Sequence, residues 1–573
     1  MESGKKRSIG RVAVVVAIIL CTIACSYMIG RIVERHRVRN VIEYMSANVG
    51  EYEKSLAQVS QEMAAMEKIV SGGDKLMQTI ITVRNNYVDP IDLDTIYEKA
   101  IPKLLSELDP HSEYIPAKMF ESVNESLEGE FDGIGIVFNA MTDTITVLSV
   151  IPQGPSDKAG VRAGDRVIRI DNRDVAGQGI SQDSMVRLMR GPRGSKVKLS
   201  VKRSAIDELV DINITRAAIE VHSVTAAFML DKSAGIGYLR LAQFSRTSYS
   251  EICNALERLK AEGMTSVIID LRGNGGGFLD QVVSIVNEFL DRGKLIVYTE
   301  DRHGRRVNEY SDGTGRYTDT DIAVLVDELS ASSSEILAGA VQDNDRGLVI
   351  GRRTFGKGLV QAQLPFSDGS AVRLTVARYY TPSGRSIQRP YTNGDEMAYR
   401  MDLVNRINHH ELFSKDSIRL DKSKEYRTSA GRVVYGGGGV MPDIFIPVDT
   451  TKVSDFYNKV WDANILYRYT LDFADHNRAK LDGVKTLEDL DAVLDDATLL
   501  DEFLAYAERN GVTATESDLA LSRNVLLTQI RAYIGRNALG DESGYYYNIY
   551  PIDDVMLRAV KELRAGGLKN IKR

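Results

Sequence analysis

Ile322-Ala-Val-Leu-Val-Asp-Glu-Leu-Ser-Ala-Ser-Ser-Ser-Glu-Ile336 decides how the chain is read. An uninterrupted apolar run, Ile322 to Val326, has the length and β-branched content of a buried strand. It passes through an acidic turn into a serine cluster and then into a helical pattern from Ser333. Ser332 therefore falls at a strand-to-helix turn. With Glu335 three residues on, it has the signature of a capping box, and a helix cap is the ordinary role of such a serine. The same place offers free backbone N–H groups and the positive end of the helix dipole, which suit an oxyanion equally well.

Outward from this turn, strands and helices alternate. Gly237–Leu241 reads as a strand, Tyr249–Gly263 as a helix, Ser266–Asp270 as a buried strand, and a helix follows Gly277. Leu295–Tyr298 reads as a further strand, and Leu348–Tyr380 is β-rich. This is the pattern of an α/β core. Asp270-Leu-Arg-Gly-Asn-Gly-Gly-Gly277 ends one of its strands in a glycine-rich turn, where backbone can approach a ligand closely. The Ser333 N–H, with that of Gly275 or Gly276, would make a pair of oxyanion donors.

A serine nucleophile needs a base, and none of the 7 histidines stands in a convincing motif. Thr354-Phe-Gly-Lys-Gly-Leu-Val-Gln361 supplies a lysine instead. Buried, Lys357 would be neutral near working pH and able to take a proton. On an extended strand Gln361 would share its face and hold its amine in place. Gly351-Arg-Arg-Thr-Phe-Gly-Lys357 also fits the spacing of a phosphate-binding loop, but Gly358 stands where Ser or Thr is required. A strand pattern follows rather than a helix, which argues against the phosphate cradle.

Upstream, Gly133-Ile-Gly-Ile-Val-Phe138, Ile145–Val150, Arg166–Ile170 and Val197–Val201 are short β runs with one helix, Ser181–Arg190, between them. The chain of 573 residues has room for two to four domains, and its net charge of -7 does not favour nucleic acid. Of 3 cysteines, Cys21 and Cys25 lie in the N-terminal apolar stretch and only Cys253 elsewhere, so a disulfide framework and a thiolate metal site are both excluded.

Val12 to Gly30 carries no charge and is long enough to cross a bilayer. Lys5, Lys6, Arg7 and Arg11 precede it, and Arg31, Arg35, Arg37 and Arg39 follow, so the positive-inside comparison is nearly a tie. It reads as a retained signal anchor, followed by a helical stalk. Beyond residue 447 the chain is charged and mainly helical, a packing or dimerisation element.

Several ordered blocks together resemble the carboxyl-terminal processing peptidases of the S41 serine peptidase family. They are Leu108-Asp-Pro-His-Ser112, the β module, Asp270-Leu-Arg with its glycines, Ser330–Ile336, Gln342-Asp343, and Thr354-Phe-Gly-Lys-Gly358 with Gln361. The resemblance covers about residues 76–447. It implies Ser332 as nucleophile, Lys357 as general base, Gln361 as its orienting partner and Asp343 as structural support. Ser330, Ser333 and Ser334 are nearby decoys, and the choice of Ser332 among them rests on the family motif. Leu329 departs from the family's usual glycine and Ser333 from its alanine. No metal or other cofactor is implied.

Residues 131–205 resemble a PDZ domain. Gly133, Ile134, Gly135 and Ile136 would form its carboxylate-binding loop, and Arg190 would couple peptide binding to catalysis. The expected architecture is thus a multidomain α+β and α/β chain. It comprises a cytoplasmic N-terminus (1–11), a transmembrane anchor (12–30), a helical stalk (31–75) and the N-terminal helical part of the peptidase (76–130). The PDZ domain follows (131–205), then a ClpP/crotonase-like peptidase core (206–447) and a helical C-terminal region (448–573). The implied activity is serine endopeptidase action on protein C-terminal segments, the other reading being an inactive PDZ scaffold. A bacterial inner-membrane protein with its catalytic part in the periplasm is expected, forming a homodimer or higher oligomer and served by an adaptor protein.

Overall fold

The computed structural model of the chain describes residues 67, 72–139, 144–151, 153–203, 206, 208–539 and 541–567. The predicted anchor and most of the predicted stalk lie outside them. Among the described residues no helix is long and apolar enough to cross a membrane. The described residues up to Tyr97 belong to a unit separate from Glu98–Arg573. Its described part is helical over 72–86 and enters the helix Leu93–Ser106.

In the larger unit, the sheet that carries the site has six strands. Their order is Val224–Asp231, Ile236–Leu241, Ser266–Asp270, Asp321–Val326, Leu348–Gly351 and Ile444–Phe445. The first pair is antiparallel and all later pairs are parallel. Strands in such a sheet are covered on both faces, which is why Ser266–Asp270 is apolar almost throughout and buried at every position. Side chains alternate between two cores. Val267, Ile269, Val324 and Val326 face the helices Ser248–Ala261, Leu279–Asn287 and Ser333–Asp343. Ile268, Ala323, Leu325 and Ile350 face the opposite way, toward Val555, Met556, Ala559, Val560 and Leu563 of the helix Asp554–Arg564. The C-terminal segment is therefore a full layer of the sheet.

Residues 456–539 form a helical body around their own core of Phe456, Leu466, Phe503, Leu526 and Ile530, ending in the long helix Glu516–Leu539. After it the chain returns to the sheet. The mainly helical character expected beyond residue 447 is observed, but its last helices complete the α/β core.

The β module is a sheet of Ile136–Asn139, Ile145–Val150, Arg166–Ile170, Lys196–Lys202 and Leu209–Thr215, closed over Ile145, Val147, Val167, Leu199 and Ile214. Its helix, Gln182–Met189, starts at Ser181, whose hydroxyl accepts from the Ser184 N–H. The boundary expected at residue 205 falls short. Leu209–Thr215 pairs along its whole length with Lys196–Lys202 and belongs to this sheet.

A second sheet borders the site, in the order Glu113–Ile115, Ala371–Tyr380, Leu295–Asp301 and Arg306–Tyr310. Leu359–Pro365 also pairs with Ala371–Tyr380. The short strand Glu113–Ile115 docks on Ala371–Arg373 and brings the preceding Asp109-Pro-His-Ser112 to the same edge.

Candidate active site

Ser332 sits between the strand Asp321–Val326 and the helix Ser333–Asp343, as its sequence setting implied. Its backbone has φ 55° and ψ -115°. A positive φ at a non-glycine residue costs about 1–3 kcal/mol and is held only where its surroundings enforce it. Here the surroundings are close. A Cβ at Gly276 (φ 101°) would lie 2.7 Å from Ser332 Cβ and 2.8 Å from the Ala331 carbonyl oxygen, so only glycine fits.

The decoy serines separate cleanly. Ser330, Ser333 and Ser334 are at most 1% exposed. Their hydroxyls donate to the carbonyls of Leu271, Gly277 and Asn274 at 2.8, 2.9 and 2.9 Å. Ser332 is half-buried, and its hydroxyl donates to no acceptor among the described residues. The capping box forms as well, with the Ser332 N–H on Glu335 Oε2 at 3.0 Å. Capping and a free hydroxyl proton coexist at this residue.

The expected oxyanion donors divide. The Ser333 and Gly275 N–H groups have no acceptor among the described residues, and Gly275 is exposed. The Gly276 N–H is engaged by Asn274 Oδ1 at 2.8 Å. Gly276 is therefore not a donor; it is where the turn passes closest to the nucleophile. Asn274 is itself fixed, since its Nδ2 donates to the Leu241 carbonyl at 2.9 Å.

Lys357 lies in an extended loop before the strand Leu359–Pro365. Burial pushes its ammonium below the ordinary lysine range, Arg373 adds to the effect, and Glu113, Glu335 and Asp109 oppose it. Its Nζ has no hydrogen bond or ion pair among the described residues, and none joins it to Ser332 Oγ. The reach of Gln361 differs from expectation. The strand begins only at Leu359 and its register shifts between Val360 and Gln361, so the one-face argument for an unbroken strand from Lys357 fails. Gln361 Nε2 donates to Thr375 Oγ1 at 3.4 Å instead.

What joins the serine and lysine segments is Glu335, fully buried. Oε1 accepts from Thr354 Oγ1 at 2.5 Å and from the Gly356 N–H at 2.8 Å. Oε2 accepts from the Lys357 N–H at 2.8 Å in addition to that of Ser332. Burial still prevails over these four donors and pushes the carboxyl up to about 7. Tyr379 makes a second bridge, its hydroxyl 2.5 Å from the Lys357 carbonyl and 3.0 Å from that of Ser332. The sequence marked Glu335 only as a capping partner and gave no sign of Tyr379.

His111 also belongs here. Burial and the neighbouring Lys357 charge hold its imidazole down to about 4, so it is neutral at neutral pH, with Nε2 2.9 Å from the Tyr399 hydroxyl. Asp109 ties down the same segment, accepting from Ser112 Oγ at 2.6 Å and from Thr375 Oγ1 at 3.1 Å. Asp343 stands at the far end of the serine helix, paired at 2.8 Å with Arg385, both side chains wholly buried.

Comparison with known proteins gives the family. Residues 235–396 match the model of peptidase family S41, 133–214 a PDZ domain, and 456–540 a family of unknown function. A carboxy-terminal-processing protease of Bartonella bacilliformis is 40% identical over 311 residues, which cover 53% of this chain and 70% of that protein. The chain belongs to peptidase family S41. The carboxy-terminal processing protease CtpA of Bacillus subtilis is 32% identical over 317 residues, 55% of this chain and 66% of that protein. Among solved structures, a photosystem II D1 C-terminal processing protease is 32% identical over 55% of this chain and 83% of its own, with a TM-score of 0.34.

This S41 serine peptidase thus carries its PDZ domain ahead of the catalytic sheet. Gly133 closes the strand Glu130–Gly133, Ile134 is buried, Gly135 has φ 73°, and Ile136 opens the edge strand Ile136–Asn139, packed against the core that holds Met185 and Met189 of the helix Gln182–Met189. Arg190 is ion-paired with Glu125, on the helix Ala117–Glu128, and lies 4.5 Å over the Phe131 ring.

Proposed function

We propose that the chain hydrolyses peptide bonds of protein substrates through an acyl-enzyme on Ser332, with Lys357 as general base. The carrying observation is that Ser332, alone among the four serines of its run, keeps a free and accessible hydroxyl proton. It does so next to the open Ser333 N–H and against the turn that bears the open Gly275 N–H, on a backbone fixed to that of Lys357. Neutral Lys357 takes the Ser332 proton as Oγ attacks the carbonyl carbon. The Ser333 and Gly275 N–H groups receive the oxyanion. Collapse breaks the C–N bond and the leaving amine takes the proton from Lys357; Lys357, neutral again, deprotonates the water that attacks the acyl-enzyme and returns that proton to Ser332 Oγ as the acid product leaves. The lysine must close on Ser332 once substrate is bound, in keeping with catalytic contacts that tighten only in the complex. Gln361 would then orient the amine, and Asp343 would brace the serine helix from its far end.

The Gly133–Ile136 loop and its groove would take substrate C-termini by strand addition, with Arg190 passing occupancy on through Glu125. The charge-free stretch 12–30 supports a single-pass anchor, and the placement in a bacterial inner membrane with the peptidase on the periplasmic side is inferred from the peptidase reading. A homodimer or higher oligomer, with an adaptor that delivers substrates, completes the proposal. An inactive scaffold is not favoured, because the family match and the retention of Ser332, Lys357 and Gln361 together support a peptidase. Purified wild type, Ser332→Ala and Lys357→Ala are to be compared on an unfolded protein. Cleavage by wild type alone is expected; equal cleavage by all three would remove the mechanism.

A further inference from the structure

The glycine turn that supplies the Gly275 N–H has little stiffness of its own. Gly273, Gly276 and Gly277 have φ of 71°, 101° and 150°, and none carries a side chain that could lock the backbone. Its position is set by what grips its ends. On the serine side, the Asn274 carbonyl accepts from the Ala331 N–H at 3.0 Å and from Ser334 Oγ at 2.9 Å. On the other side the Gly273 N–H donates to Asp327 Oδ1 at 2.9 Å, and the residue that leads into the turn is anchored by its side chain, Arg272. Its Nη2 and Nε bind Asp270 at 2.6 and 3.0 Å, and its Nη1 binds Asp553 at 2.8 Å.

Asp553 comes from the far end of the chain. It is the N-cap of the helix Asp554–Arg564, with Oδ1 accepting the Val555 and Met556 N–H groups at 3.0 Å each. The apolar face of that helix packs on the sheet, so the carboxylate is delivered to Arg272 from a fixed support. The surroundings are nearly closed: Asp270 is wholly buried, and the Arg272 and Asp553 side chains are 18% and 12% exposed. Arg240 shares Asp270 at 3.1 Å and lies 5.2 Å over the Tyr546 ring. Two arginines thus face two carboxylates. Without Asp553 one guanidinium would be left in excess in a half-dry site, and Arg272 would be drawn toward water, taking the start of the turn with it.

We propose that Asp553 is a positioning residue for the oxyanion turn, so that the C-terminal segment is part of the catalytic unit and not only its cover. The inference rests on the reading of Ser332 as nucleophile and Gly275 as oxyanion donor. Asp553 touches no reacting atom; it acts through Arg272.

The test uses the full-length chain with Asp553→Asn and Asp553→Glu. Asparagine keeps a good helix cap but lacks the charge, and glutamate restores the charge. Rates on an unfolded, alkylated casein are counted per site titrated with a fluorophosphonate, so unfolded material does not enter. Displacing one oxyanion donor, rather than deleting it, is expected to lower kcat about tenfold for Asp553→Asn. KM should stay within twofold. Affinity for a peptide aldehyde, whose hemiacetal oxygen occupies the oxyanion position, should fall by the same factor as kcat. Asp553→Glu should recover at least half the rate. Unchanged kcat and aldehyde affinity in Asp553→Asn would overturn the proposal, as would a loss that glutamate does not repair. A Ser332→Ala chain that still cleaves would remove the nucleophile itself, and the inference with it, a result the Asp553 variants alone do not give.

Discussion

Ser332 and Lys357 hand their backbone N–H groups to one and the same oxygen, Glu335 Oε2, at 3.0 and 2.8 Å. In Glu335→Gln one carboxylate oxygen becomes an NH2 group that confronts two donors, leaving buried groups unpaired at about 1–3 kcal/mol each. Labelling of Ser332 by a fluorophosphonate should slow at least 100-fold, by order of magnitude. Labelling at the wild-type rate would show that the shared oxygen does not hold the pair.

The pH profile follows from the same carboxyl. Its four neighbours are all donors, so a proton on Glu335 must displace one of them, and activity needs it ionised as well as Lys357 neutral. Both requirements raise the rate with pH. Because Glu335 titrates at about 7, log kcat/KM should climb with a slope near two below that pH and near one above it. Glu335→Gln should show unit slope throughout. Stability runs the other way. The folded-state pKa is raised, so the contribution of neutral Glu335 is full below the ordinary 4.5 and is lost as pH rises through about 7. Over that interval the Tm of the wild type should fall relative to that of Glu335→Gln.

Removing the hydroxyl of Tyr379 deletes the second bridge without opening a cavity. Tyr379→Phe should cost about 1 kcal/mol in urea unfolding and lower kcat about five- to tenfold with little change in KM. An unchanged kcat would confine the bridge to stability.

Asp343 and Arg385 are both wholly buried, so breaking the pair leaves a guanidinium in the core without its counter-charge, although Gln342 Oε1 and the Tyr435 carbonyl still accept from it. Asp343→Ala should lose about 3–5 kcal/mol in urea unfolding. The double variant Asp343→Leu/Arg385→Met should be appreciably more stable than the single one; equal losses would place the cost elsewhere.

A chain ending at residue 540 lacks the helix that covers Ile268, Ala323, Leu325 and Ile350. An exposed apolar sheet face of that size does not stay monomeric in water. The truncated chain should be insoluble or show no cooperative melt, and a soluble, active product would contradict the layer assignment.

Much of this was legible in the sequence, because strand and helix periods are local. Ile322–Val326, Ser266–Asp270 and the turn at Ser332 follow from apolar patterning and cap chemistry alone. Glu335 was visible only as a capping residue, since its i, i+3 signature says nothing of the Thr354, Gly356 and Lys357 donors that tertiary folding brings to it. Gln361 misled because a bulge cannot be seen in a run of alternating residues. The last PDZ strand, Leu209-Val-Asp-Ile-Asn-Ile-Thr215, did carry the period of two, with Ile212 and Ile214 buried. The helix Asp554–Arg564 shows an apolar face in its sequence, but a face does not say which sheet it will cover.

That cover lies C-terminal to every strand of the sheet it packs on, and synthesis runs from the N-terminus. While the polypeptide is still being made, the sheet bearing Ser332 has one face bare and Arg272 has no partner at Asp553. The nucleophile, the lysine and the glycine turn are all complete in sequence long before they can be complete in space. A peptidase built in this order stays unfinished until the helix Asp554–Arg564 arrives, so that making the site and completing it are separated in time.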